Sequence, residues 1–345
     1  MQSDALSQSI ITKEVTKIDR QLTVFIPPIV DWSFLFQMPQ HIARQFAKNG
    51  YKVIYCNQTQ STKPVVEIEP NLFIYCSFQQ AIFDNPNPDL FYSSFAQPFK
   101  YYVNQLNPKL TIFHNCDGFK EWEKDDKDII SFADIVLFSS KPLYELHKNS
   151  NKNSYLVRNA CDFDVCNIPH EIPKDLAKIK SNNKPIVFFQ GAIGRWVNTD
   201  LMRKIPDKYS LVIVGKEFGQ AFPKNAHFLG ERTHDELMAY IQHSDVCILP
   251  FDKSGVSYYS SPIKTYEFLA CGKIVVSTNI PESKYFQEGV LIAKSEADFN
   301  NQIDRALRMA QDPKWADKCK DIAKQNTWSH RFEIIEKAIK EGGKI

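Results

Sequence analysis

The sequence predicts two doubly wound, parallel α/β domains in series, and three observations carry that prediction. Short apolar runs of strand length alternate with segments of helical period, the pattern of a parallel sheet covered by helices. The alternation is interrupted once, by a polar, Pro-bounded and Lys-rich stretch around 171–184, and then begins afresh. The length of 345 residues is about 2.3 times the roughly 150 residues of an average domain, so each half can bury a core of its own.

Taken in order, residues 1–20 form a polar leader. Asp4, Lys13, Glu14, Lys17, Asp19 and Arg20 leave it no apolar core, so it is expected to be neither a signal peptide nor a membrane anchor. The first domain is expected over 21–170. "LTVFI" (22–26) reads as a strand buried on both faces and stopped by Pro27-Pro28. Ile42, Ala43, Phe46 and Ala47 share one face of a helix from Met38 to Lys48, Gly50 closes that helix, and "YKVIYC" (51–56) is the next strand. Further strands are expected near 72–76, 110–113, 135–138 and 154–157. After the linker at 171–184, the second domain at 185–328 repeats the alternation. Its strands are "IVFFQG" (186–191), "LVIVG" (211–215), "AHFLG" (226–230), "DVCILP" (245–250) and "KIVVST" (273–278), with a helix over 233–243. A last helix, 329–345, can pack on either domain.

Composition narrows the function. With 42 Lys+Arg against 40 Asp+Glu, the net charge of +2 is too balanced to make nucleic acid the expected partner. Apolar runs such as "IVLF" (135–138) are far shorter than the roughly 20 residues of a membrane helix. The 8 cysteines, at 56, 76, 116, 161, 166, 247, 271 and 319, contain no C-x-x-C pair and fall mostly in apolar runs, as reduced thiols of a cytoplasmic protein do. The 8 histidines include no H-E-x-x-H and no Cys/His pair at zinc spacing, so no metal site is expected.

The stretch "SSPIKTYEFLACGKIVVST" (260–278) carries the most chemistry. Ser261 is placed as the N-cap of a helix, Pro262 suits its first position and Gly272 ends it. Lys264 is anomalous there, because a cation in the first turn opposes the helix dipole unless an anion lies between them, and a diphosphate would be such an anion. Glu267, one turn further along the same side, can accept hydrogen bonds from two vicinal ribose hydroxyls. The alternative for this pair is a plain surface ion bridge. A second phosphate-facing element is expected in "GAIGRW", where Gly191 and Gly194 permit close backbone approach and Arg195 can meet a pyrophosphate bidentately. At the end of the strand in "IFHNCDGF" (112–119), His114, Asn115 and Asp117 are expected to face the interdomain cleft, with Asp117 or His114 as base toward an acceptor and Asp31 as the rival. For each of these the plain alternative is a capping or turn residue.

The 260–278 run closely resembles the nucleotide-binding helix of GT-B glycosyltransferases, specifically bacterial enzymes similar to glycosyltransferase family 4. "WSFLFQMPQHIARQFAKNGYKVIYC" (32–56) resembles the first loop and helix of the subgroup that builds capsular, teichuronic and other surface polysaccharides. Matches at 134–147, 155–162 and 188–202 extend the resemblance over about 22–331. It implies a GT-B fold, two Rossmann-like domains facing a cleft. It also implies transfer of a sugar from a nucleoside-diphosphate sugar, with UDP or GDP as the expected nucleotide, to a surface glycan or lipid-linked saccharide. Retention of configuration, no metal or other cofactor, and peripheral contact with the inner face of the cell membrane are implied in the same way.

The ribose role falls on Glu267, and the diphosphate role on Lys264 with the Ser260/Ser261 loop. The family helix carries two glutamates with seven residues between them, and the first falls on Tyr259, which puts the donor-sugar contact in doubt. "FLGERTHDEL" (228–237) resembles the loop that frames the nucleobase, with Arg232 as a candidate there. The "HDEL" inside it is a helix start and not a retention signal, and "SPIK" (261–264) lacks the partner motifs of a serine acyl-enzyme. The aromatic-rich segment 83–102 is assigned to core packing, with ring stacking on a glycan as the other use. Two competing functions remain: a GT-B nucleotide-sugar 2-epimerase, and a non-catalytic nucleotide-sugar or glycan-binding subunit of a polysaccharide assembly complex.

Overall fold

The computed structural model describes residues 21–345 apart from 62, 254, 287 and 344, so the leader at 1–20 lies outside the described residues. Eight strands form the first sheet: β1 Thr23–Ile26, β2 Lys52–Cys56, β3 Val65–Glu69, β4 Leu72–Tyr75, β5 Leu90–Ser93, β6 Leu110–Asn115, β7 Ile135–Phe138 and β8 Ser154–Leu156. Their spatial order is β3-β4-β2-β1-β5-β6-β7-β8. Six more form the second sheet: β9 Ile186–Gln190, β10 Ser210–Val214, β11 His227–Phe228, β12 Val246–Leu249, β13 Val275–Thr278 and β14 Val290–Ala293, ordered β11-β10-β9-β12-β13-β14. Both are Rossmann-like and doubly wound, as predicted.

Unbroken apolar sequence is what buries a strand on both faces, and β5, β7, β9, β10 and β12 are buried along their whole length. The pairing is parallel throughout except at β3, an antiparallel edge on β4 with a bulge between Glu67 and Glu69. β3, β5 and β14 are additions to the strands read from sequence. β3 carries Glu67 and Glu69 and is largely exposed, as an edge strand can be. In the aromatic segment, Phe91 and Phe99 are fully buried and meet edge-on at 5.0 Å, while Tyr101 is 59% exposed.

Two segments depart from the expected boundaries. The 171–184 stretch is no free linker: it contains the helix Lys174–Lys180, whose Leu176 and Ile179, three apart on one face, are buried in the second domain's core. The last helix, Trp328–Gly342, packs on the first domain, where Trp328, Phe332, Ile335, Ala338 and Ile339 join the core around Phe46 and Tyr92. The chain therefore crosses between domains twice, and the crossings are tied together. Cys161 N donates to Asn326 O at 3.2 Å, and Trp328 N donates to Cys161 O at 3.2 Å.

The carboxyl ends of the two sheets face each other across a cleft bridged by side chains. Glu282, 2% exposed, accepts from Lys141 N and from Arg158 Nε, each at 2.8 Å. Ser140 Oγ donates to the Tyr259 carbonyl and Asn159 Nδ2 to the Ser261 carbonyl. Among the described residues no helix is long and apolar enough to cross a membrane. The described cysteines are all free, and six of them are buried.

Phe332 meets Phe46 edge-on at 5.0 Å in the seam between the last helix and the first domain. Phe332→Ala is expected to cost about 3–5 kcal/mol, read as a lower urea midpoint for the first domain's unfolding.

Candidate functional site

The site is built where β9 ends. Gly191 follows Gln190 with a φ of +120°, and a Cβ there would lie 2.5 Å from the Lys264 Nζ. Gly215, after β10, has a φ of +150°, and a Cβ on it would lie 2.1 Å from the Gly191 carbonyl. Two bare turns thus nest against each other and leave a space that the Lys264 ammonium enters. Gly194 serves differently from expectation: the room it leaves is filled by the Trp196 ring, 2.6 Å from where a Cβ would be.

Lys264 rises from the first turn of the helix Ile263–Ala270 and is largely withdrawn from water. Among the described residues it forms no ion pair and no hydrogen bond; its ammonium lies over the rings of Phe189 and Phe251, at 4.8 and 5.2 Å. Burial lowers its pKa to about 8, against the pull of the Glu267 charge. Glu267 is 4% exposed; its Oε2 accepts from Gln190 Nε2 at 2.6 Å and its Oε1 from His234 Nε2 at 2.9 Å. The pair is therefore no surface ion bridge. Contrary to expectation, Ser261 does not cap the helix: the N-cap is Pro262, and the Ser261 hydroxyl pairs with that of Tyr266 at 3.1 Å.

From the first domain, Asp117 enters just beyond β6 and accepts from Ser260 Oγ across the cleft at 2.8 Å. Burial raises its pKa, and the Ser260 hydrogen bond opposes the rise. Asp117 lines a cavity of about 210 Å³ with Asn115, Trp122, Asp126, Phe95 and, from the second domain, Ile263. The Asp126 carboxyl is pushed up to about 6, first by burial and then by the charges of Asp125 and Asp117, against a hydrogen bond with Asn115.

Four sequence candidates have other duties. His114 is fully buried inside β6: Nε2 donates to the Val157 carbonyl at 3.2 Å and Nδ1 accepts from the Tyr92 hydroxyl at 2.8 Å. Burial lowers its pKa to about 4, and neither nitrogen is available to an acceptor. Asp31 holds a loop, accepting from Gln58 N at 2.6 Å and Thr59 N at 3.1 Å. Arg195 is 62% exposed and pairs with Glu121 of the first domain, bridging the cleft mouth. Arg232 is likewise engaged, donating to Asp175 at 2.7 Å and to the Tyr240 hydroxyl at 2.9 Å. Tyr259 packs on Gly118, where a Cβ would come within 2.6 Å of it.

Sequence reasoning missed Gln190 and Asp126, which no motif marks, and a constellation of side chains of metal-ligating type. One donor atom each of His41, His234 and Glu267 lies within 4.8 Å of the other two. No local spacing could reveal it, because the three residues come from three helices of two domains.

Residues 177–309 match the family Glycosyl transferases group 1. A Bacillus subtilis (strain 168) protein, TuaH, named for glycosyl transfer in teichuronic acid biosynthesis, is 28% identical over 117 residues, 33% of this chain and 30% of its own length. The chain thus aligns with under a third of that relative. Sucrose-phosphate synthase of Thermosynechococcus elongatus superposes with a TM-score of 0.71 at 15% identity, covering 93% of this chain and 99% of its own. Anabaena HepE in complex with UDP and glucose does so with a TM-score of 0.72 at 12% identity, covering 93% of this chain and 100% of its own. The fold is GT-B, and the match to the Glycosyl transferases group 1 family falls almost wholly within the second domain.

An ammonium held in the folded state against a lowered pKa weakens the unliganded protein. The unfolded chain binds the extra proton between about pH 8 and the ordinary lysine value, so stability rises with pH over that window. Lys264→Met should accordingly raise the melting temperature of the unliganded protein at pH 7, and the gain should shrink toward pH 10.5.

Proposed function

We propose that this chain transfers a glycosyl group from a nucleoside-diphosphate sugar, with UDP or GDP as the nucleotide, to a saccharide acceptor lodged in the first domain. The observation that carries the proposal is the unpaired Lys264 cation beside the bare Gly191 turn, with the Glu267 carboxylate one helical turn beyond it. The diphosphate lies against Lys264, the Gly191 turn and the free N–H groups of the helix start, where dipole and ammonium both favour an anion. Glu267 turns from His234 to the ribose hydroxyls. In the reaction the bond from the anomeric carbon to the diphosphate oxygen breaks and the bond to the acceptor oxygen forms. The acceptor proton passes to the departing diphosphate, which Lys264 and the helix start neutralise. Asp117 orients the acceptor hydroxyl, and configuration is retained. A metal ion is not needed for the departure of the leaving group.

The acceptor is a surface glycan or a lipid-linked saccharide met at the inner face of the cell membrane. Support comes from the name of the teichuronic-acid relative and from a cavity whose carboxylates and rings suit a sugar. The epimerase and binding-subunit alternatives are not favoured, since the matched family and the relative are named for glycosyl transfer.

UDP and GDP titrations by calorimetry test the donor site. Lys264→Ala should weaken binding by about 10- to 100-fold, the loss of a charge-assisted contact. Wild-type affinity should fall as pH rises through about 8 and Lys264 loses its proton. Equal affinity in the variant would refute the assignment. In turnover of a nucleotide sugar with lipid-linked saccharide, Asp117→Asn should lower kcat by about 10²-fold at unchanged nucleotide affinity, and NMR should show the product's anomeric configuration retained.

A further inference from the structure

The structure assigns a second ligand to the seam between the domains. We propose that His41, His234 and Glu267 bind one divalent transition ion of the zinc class, which ties the first domain to the second. Two imidazoles and one carboxylate are a donor set that suits zinc and its borderline neighbours and serves magnesium or calcium poorly.

The strongest sign is His41. Its ring is 3% exposed, and among the described residues its buried Nε2 has no hydrogen-bond partner. A buried nitrogen left unpaired calls for an explanation, and a metal ion supplies one. The ring is fixed in place, stacked on Trp328 at 4.6 Å and edge-on to Phe36 at 4.7 Å.

The other two ligands already meet, His234 Nε2 donating to Glu267 Oε1 at 2.9 Å. An ion inserted there takes the place of that proton, which is released. Glu267 Oε2 remains held by Gln190 Nε2 at 2.6 Å, the outer support that orients a ligating carboxylate. Donors sharing a zinc ion sit roughly 3.4 Å apart. The present separations reach at most 4.8 Å, so side-chain rotation on the order of 1 Å closes the set. Water fills the remaining position.

One consequence rests on the nucleotide reading above: Glu267 cannot ligate the ion and accept the ribose hydroxyls together, so zinc and the nucleoside diphosphate exclude each other.

The test is zinc titration of the metal-free full chain by calorimetry, without nucleotide, together with visible absorption of the cobalt(II) form. One ion per chain is expected, with the intense bands of four- or five-coordinate cobalt. His41→Phe, which preserves the stack on Trp328, and His234→Asn should each weaken binding at least tenfold. Absence of zinc binding at millimolar metal, affinity unchanged in both variants, or only the pale spectrum of octahedral cobalt would overturn the site. UDP or GDP, whichever binds the metal-free chain, should lower zinc affinity at least tenfold when added to the zinc form, and binding of both together would overturn the exclusion. Zinc binding by a chain that binds neither UDP nor GDP would overturn the nucleotide reading while supporting the metal site.

Discussion

A cation largely withdrawn from water, with no ion-pair partner among the described residues, is the condition around which the second domain is arranged. Lys264 could be neutralised by any carboxylate placed near it, yet the nearest acidic side chain on its own helix, Glu267, is turned to Gln190 and His234. What surrounds the ammonium is two aromatic faces and two glycine turns. Aromatic rings soften the loss of water without cancelling the charge. The glycines keep open a space that any side chain at Gly191 would fill, and their positive φ angles are backbone states that other residues adopt at a cost. Stability is given up locally for a charge directed at the cleft, as expected of a binding site rather than of a structural contact.

That charge is useful only if the opposite wall is held at a fixed distance, and the double crossing provides this. The paired strands at Cys161 and Asn326 to Trp328 are short and hydrogen-bonded to each other, so they form one joint instead of two independent linkers. Arg331 closes the joint by donating to the carbonyls of Arg158 and Asn159 at 3.2 and 3.3 Å. Glu282 then reaches over and holds both a helix start and Arg158 of the first domain. Both carboxylate oxygens of the buried Glu282 find their donors across the cleft, so opening it would strand a buried charge.

How much of this could be read from the sequence depends on whether the signal was local. Buried parallel strands announce themselves by continuous apolar runs, and β7 falls on the residues that the run marks, 135–138. β3 carries no such run because an edge strand needs only one covered face. That Lys264 and Glu267 stand three residues apart on one helix could be read, because that spacing is a property of the helix alone. His114 failed for a one-strand reason: β6 continues to Asn115, two residues beyond the apolar run, so His114 falls inside the sheet while Asp117 falls outside it. Ser261 failed because proline at 262 takes the capping position itself, leaving the hydroxyl to Tyr266. Arg195 and the His41, His234 and Glu267 constellation depend on how one domain meets the other, which no window of sequence contains.

The charges on the two walls are of opposite sign, and this bears on glycosyl transfer as proposed. The second domain presents the Lys264 ammonium, and the first presents the Asp117 and Asp126 carboxyls, both raised in pKa by burial. In the transition state of such a transfer, negative charge grows on the departing diphosphate and positive charge on the anomeric carbon. An arrangement with the cation behind the diphosphate and the carboxyls beyond the sugar favours both changes together. Tyr259 fits this division. Where the resemblance leads one to expect a third carboxylate on the second wall, a neutral ring lies on Gly118 and brings Ser260 within reach of Asp117. A glutamate at 259 would set a like charge near Asp117 and raise the cost of ionising it. With tyrosine there, the carboxylate of the donor side is Glu267, held by Gln190 and His234, and no second one is set against Asp117 from position 259.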